Sequence, residues 1–143
     1  MGGEVQLVLP TRIELVTNDA DKLLVLEDIE RFSDGSGWKA LLRVRSGWLA
    51  FEHDLYFSEK HLASAISSLA TMSRNGHAIA KLTGTWEPDF LCLELHTLGH
   101  VEVRGEIGHG DSWKQIVRFS FQTDQTVIAP LMRDLSALLH TGI

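Results

Sequence analysis

The chain has 143 residues, about one domain's worth, and at that size roughly two-thirds of the unfolded surface can be buried, so neither metal nor disulfide is required for stability. It carries 13 Lys+Arg against 19 Asp+Glu for a formal charge of −6, and the basic residues are scattered apart from Arg43 and Arg45, which argues against nucleic acid as a partner. One cysteine, Cys92, excludes an internal disulfide and fits a reducing, cytoplasmic setting, while no apolar run approaches the ~20 residues of a membrane span and no basic-then-apolar leader opens the chain.

In chain order, Val5 to Leu9 and Arg12 to Thr17 are short strand candidates separated by Pro10, which lacks a ladder donor. Lys22 to Phe32 is a longer strand. Asp34-Gly35-Ser36-Gly37 turns it into Trp38, Ala40, Leu42 and Val44, which alternate with Lys39, Leu41, Arg43 and Arg45 as in a hairpin. Ser46-Gly47 leads into Trp48 to Phe57. There Leu49, Phe51, Leu55 and Phe57 share an inward face with His53, while Trp48, Glu52, Asp54 and Tyr56 point the other way.

The period changes at Ser58, an expected N-cap, after which Leu62, Ala65, Ile66, Leu69 and Met72 recur at helical spacing until Asn75-Gly76. Ala78 to Trp86 returns to strand, and Glu87-Pro88-Asp89 turns it. Leu91 to Gln122 then reads as a three-stranded antiparallel meander with alternating apolar positions at Leu91, Leu93 and Leu95, at Val101 and Val103, and at Val117, Phe119 and Phe121. Thr97-Leu98-Gly99 as a three-residue loop pairs Leu95 with Val101 and His96 with His100. Gly108 to Ser112 as the next loop pairs Val103 with Val117, Glu102 with Arg118 and Glu106 with Lys114. Thr126 is the expected cap of a last helix whose buried stripe is Val127, Leu131, Leu135, Leu138 and Leu139, with Pro130 as its fourth residue. The expectation is one α+β domain over residues 1–143, a largely antiparallel sheet with two helices packed on one face, with no internal repeat or linker.

Chemistry is sparse. Glu94, His96, His100 and Glu102, with Cys92 one step further, gather on the outer face of the meander. Imidazole and carboxylate suit zinc or nickel, but an open sheet face is no concavity, so a solvated or partner-contacting surface is the preferred reading and no metal or cofactor is assigned. His53 has the residue type of a general base, but no nucleophile pattern accompanies it, and a histidine bonded to a backbone carbonyl is the simpler account. Gly105-Glu106-Ile107-Gly108-His109-Gly110 links strand to strand and lacks the helix terminus of a phosphate loop. Asp124 and Thr126 stand where a strand becomes a helix and are expected to cap backbone donors. Trp38, Trp48, Trp86 and Trp113 lie at or near strand ends; Trp48 and Tyr56 flanked by Glu52 and Asp54 have the composition of a protein-contact anchor, with core or dimer-interface packing as the competing reading.

Phe51-Glu52-His53-Asp54-Leu55-Tyr56-Phe57 leading into an amphipathic helix, Gly99-His100-Val101-Glu102-Val103, and Phe121-Gln122-Thr123-Asp124-Gln125-Thr126 before a Leu-rich helix together resemble the WapI family of small bacterial proteins. The resemblance runs from about Trp38 to Leu139, and His53 stands where that pattern has an apolar residue. It implies immunity against a wall-associated polymorphic toxin, by binding and blocking the toxin domain in the cytosol, and it carries over no catalytic residue. The function expected is therefore a non-catalytic, cytoplasmic protein-binding module contacting a toxin domain or other protein through Trp48, Glu52, Asp54, Tyr56, Glu94, His96, His100 and Glu102. The alternative is a small-ligand or metal-dependent enzyme built on His53 or on His96 and His100.

Overall fold

The computed structural model describes residues 11–75, 78–86, 88–110 and 115–140. The strand expected at Val5 to Leu9, and Gly76, Glu87, Trp113 and Lys114, lie outside them. The α+β class holds, with the strands divided between two four-stranded antiparallel sheets rather than gathered in one. The first is β1 (Ile13–Leu15), β2 (Lys22–Arg31), β3 (Gly37–Ser46) and β4 (Leu49–Ser58), paired in that order and followed by α1 (Glu59–Asn75). The second is β5 (Ala78–Thr83), β6 (Phe90–Leu95), β7 (His100–His109) and β8 (Gln115–Asp124), followed by α2 (Ile128–His140). The amino-acid pattern shows no repeat, yet the order of elements among the described residues does: four strands and then an α-helix, twice.

Alternation explains the strands. In β3 the inward set Trp38, Ala40, Leu42 and Val44 is at most 2% exposed, and Trp38 stacks on Phe57 of β4. Pairing β3 with β4 sets Ala40 against Leu55 and Val44 against Phe51, leaving only Gly47 and Trp48 for the turn. The β2–β3 turn is held by Asp34, whose carboxylate accepts from the Ser36 amide (2.9 Å) and hydroxyl (2.7 Å). Those two bonds hold the Asp34 carboxyl below its usual range. The outer face of the first sheet is a ladder of charge: Arg43 reaches Glu27 and Glu52, and Arg12 reaches Glu14 and Glu27.

Both helices begin as side-chain caps dictate. Ser58 Oγ accepts from the His61 amide (3.1 Å), satisfying one of the free N–H groups of the first turn of α1. At the other helix Asp124, not Thr126, is the cap. Its carboxylate accepts from the Thr126 amide (2.9 Å) and from the Thr126 hydroxyl, a 3-10 turn (Gln125–Val127) intervenes, and α2 starts at Ile128 with Pro130 as its third residue. Asp124 stands two residues ahead of the donor it caps, with extended backbone, so its carboxylate reaches the Thr126 amide, and the Thr126 hydroxyl bonds back to it.

The meander keeps its parity but not its whole register. Leu95 does face Val101. Val103, however, pairs with Phe121, Val117 with Ile107, Glu102 with Gln122 and Arg118 with Glu106, so each β7 residue meets a β8 residue four positions later than expected. A shift by an even number leaves every inward side chain inward, which is why alternation alone does not detect it. Gly108, expected to open the loop, lies inside β7, as does Gly105 of the same glycine-rich run. Gly105 is required there because a Cβ would stand 2.7 Å from both the Phe90 carbonyl oxygen and the Phe119 ring.

One hydrophobic cluster joins both sheets and both helices. At its centre, Leu24 and Leu26 of the first sheet, Leu82 and Leu93 of the second, Leu69 of α1 and Leu135 of α2 are among the residues around an apolar cavity of about 40 Å³.

Candidate functional site

The polar groups singled out from sequence separate into three places. On the outer face of the second sheet, Arg104 sits between Glu94 and Glu102 and bonds both (2.9 and 2.8 Å). Glu94 and Glu102 are paired across the strands, the guanidinium between them offsets their repulsion, and the two ion pairs hold Arg104 above its usual value. His96 is 3.9 Å from Glu94, and its amide donates to the His100 carbonyl (2.8 Å). Cys92 departs from expectation: although it faces outward by parity, it is 2% exposed, lying between Lys81 and Arg104 in the sheet, and burial pushes its thiol up.

His53 is half-buried on β4 and does bond a backbone carbonyl, that of Asp54 (Nδ1 to O, 2.8 Å). Its other nitrogen meets His109 Nδ1 at 2.9 Å. His109 was hidden from sequence reading inside the glycine-rich run; its position as the outermost residue of β7 is the signal that register, once correct, would have supplied. Near it, Asp89 is buried and accepts from the Gly108 amide (2.9 Å), and burial raises its carboxyl.

Exposed apolar side chains mark the third place. Trp48 is 94% exposed at the tip of the β3–β4 turn, and Leu98 is 94% exposed in the turn before β7. Leu98 also has φ = 69°, a left-handed conformation that costs a side chain with a Cβ about 1 to 2 kcal/mol. Gly99 beside it is left-handed too, at φ = 80°. Several tethers bring these turns to one end of the molecule. Ser46 Oγ donates to the Ser120 carbonyl (2.9 Å), the Gly47 amide to the Asp21 carbonyl (2.9 Å), and Lys22 Nζ to the Gln122 carbonyl (2.7 Å). His100, two residues from Leu98, pairs with Asp124 and shares an open groove with Asp19, Lys22 and Gln122. Val16, 59% exposed just beyond β1, joins this end.

Tyr56 is not part of it. Eight residues of strand separate Tyr56 from Trp48, about 26 Å, and the phenol ring stacks on Phe32 (6.1 Å between centroids). Glu52 and Asp54 face Arg43 and Lys39 across the sheet. Trp38 is core, and Trp86 is 59% exposed near the start of β6.

No family model, curated protein or solved structure matches the chain. Among the described residues, no helix is long and apolar enough to cross a membrane.

Proposed function

We propose that the protein is a non-catalytic binding module acting in the cytoplasm, that it contacts its partner through the end bearing Trp48 and Leu98, and that the partner is a toxin domain which it blocks. The observation that carries this reading is Leu98. Its backbone is strained and its side chain is in water, so the fold gains nothing from it; strain kept without a packing return is typical of a contact residue. Trp48 adds a large anchor of the kind that dominates interfaces, and His96 and His100 with Asp19 and Asp124 supply a polar rim. The chain's acidity favours a basic partner, such as a nuclease toxin, by steering association. The immunity role itself rests on the resemblance of the strand and cap motifs to the WapI family.

The test is titration of the purified chain against the toxin domain of a wall-associated polymorphic toxin, by calorimetry and by toxin activity. Stoichiometric binding with loss of toxin activity is expected, and Trp48→Ala should weaken it by at least about 30-fold, corresponding to about 2 kcal/mol. A toxin domain left fully active by excess protein would end the immunity reading. Binding unaffected by both Trp48→Ala and Leu98→Ala would end the assignment of the surface.

A further inference from the structure

His53 and His109 come from different sheets, 56 positions apart in sequence, and their imidazoles meet edge to face with centroids 5.1 Å apart and planes at 83°. His53 Nδ1 lies 2.8 Å from the Asp54 carbonyl oxygen. A carbonyl only accepts, so Nδ1 carries the hydrogen, and in the neutral ring the lone pair of Nε2 is aimed at His109. A far N–H held by a backbone carbonyl with the near nitrogen directed outward is how proteins orient metal-ligating imidazoles.

The spacing fits the same use. Two nitrogens on one tetrahedral zinc ion, each at about 2.05 Å, stand about 3.3 Å apart. Here Nε2 and Nδ1 are 2.9 Å apart, so the nitrogens need to separate by about 0.4 Å and the His109 ring to turn until both lone pairs meet at one ion. His109 is exposed, and its ring makes that adjustment without repacking the core.

We propose that His53 and His109 form a two-imidazole site for a borderline transition-metal dication of the zinc class, which clips the two sheets together. Imidazole nitrogen selects zinc, nickel and copper over calcium and magnesium. Among the described residues no group of three or more His, Cys, Asp and Glu side chains could hold an ion, so the ligands proposed are these two imidazoles alone. Asp89 accepts from the Gly108 amide (2.9 Å) and so holds the backbone from which the neighbouring His109 ring projects. For the ion to take both lone pairs, the hydrogen that His109 Nδ1 directs at His53 moves to His109 Nε2, the other neutral tautomer of that ring. This site uses none of the residues of the proposed partner surface and stands or falls separately from it.

The experiment takes the full chain, stripped with a chelator, and follows zinc binding by calorimetry and thermal unfolding by circular dichroism. One ion should bind per chain at pH 7.5. Zinc at 100 times its Kd should raise the folding equilibrium constant about 100-fold, while magnesium has no effect. His109→Ala, a change at an exposed position, should abolish both effects, as should His53→Gln, which keeps a polar side chain; the double variant His96→Ala/His100→Ala should retain both. The proposal is overturned if millimolar zinc gives no more binding or stabilisation than magnesium. Zinc binding that survives His109→Ala, or that disappears only in the His96/His100 variant, overturns it equally.

Discussion

Leu98 offers the sharpest test at the level of single residues. Replacing it by glycine removes the Cβ that resists φ = 69° and forfeits no packing, so Leu98→Gly should leave stability unchanged or raise it by about 1 kcal/mol, read from the urea midpoint. A loss of more than that would mean the side chain supports the fold after all. Glu102→Ala should cost under about 1 kcal/mol, because Arg104 keeps its bond to Glu94 and exposed pairs are worth little. Asp34 and Asp124 set the acid response. Both are held below their unfolded value by bonds to the Ser36 and Thr126 donors, so their contribution is present above that value and is lost as pH falls through the folded one. Asp89 works in the opposite sense: its folded value is raised by burial, so the stability that protonation confers is present at low pH and lost as pH rises through it. An acid unfolding series on Asp124→Ala should therefore show a shallower loss than the parent below about pH 4. An unchanged curve would reject the cap as its source.

Elements were legible where one period governs a long run, and illegible where geometry is decided by a partner. Helix α1, its Ser58 cap and strands β2 to β4 follow directly from spacing and turn chemistry. The β7–β8 register does not, because a four-residue slip preserves parity and an acceptable opposite-charge pair exists in either alignment: Glu102 with Arg118 as expected, Glu106 with Arg118 as found. Gly105 decides between them, but only once the Phe90 carbonyl and the Phe119 ring are in place around it. Gly105→Ala should cost about 1 to 3 kcal/mol in a denaturant titration, since both neighbours are packed and one is backbone. Leu69→Ala and Leu135→Ala should each cost about 2 to 5 kcal/mol, as each enlarges a cavity already present at the seam of helices and sheets. The candidate site was half legible for the same reason. Trp48 announces itself as a tryptophan beside a turn glycine, whereas the exposure of Leu98 and the meeting of His53 with His109 depend on contacts between chain segments far apart.

Across the whole molecule, two repeats of four strands and a helix share one core, with Leu15 and Leu24 from the first half and Leu82 and Leu91 from the second around the same cavity. Unfolding should accordingly be a single transition, with tryptophan fluorescence and far-ultraviolet circular dichroism giving the same midpoint. Two separated midpoints would show that the halves are independent units. The shared core also bears on synthesis. When α1 has left the ribosome, the inward faces of β1 to β4 lack the apolar side chains of the second sheet and α2 that will cover them. The second sheet and α2 must still emerge before that cover exists. For that interval the nascent first half presents ten-residue strands with an uncovered apolar face, and this is the stage of the protein's life at which a holdase chaperone has most to protect.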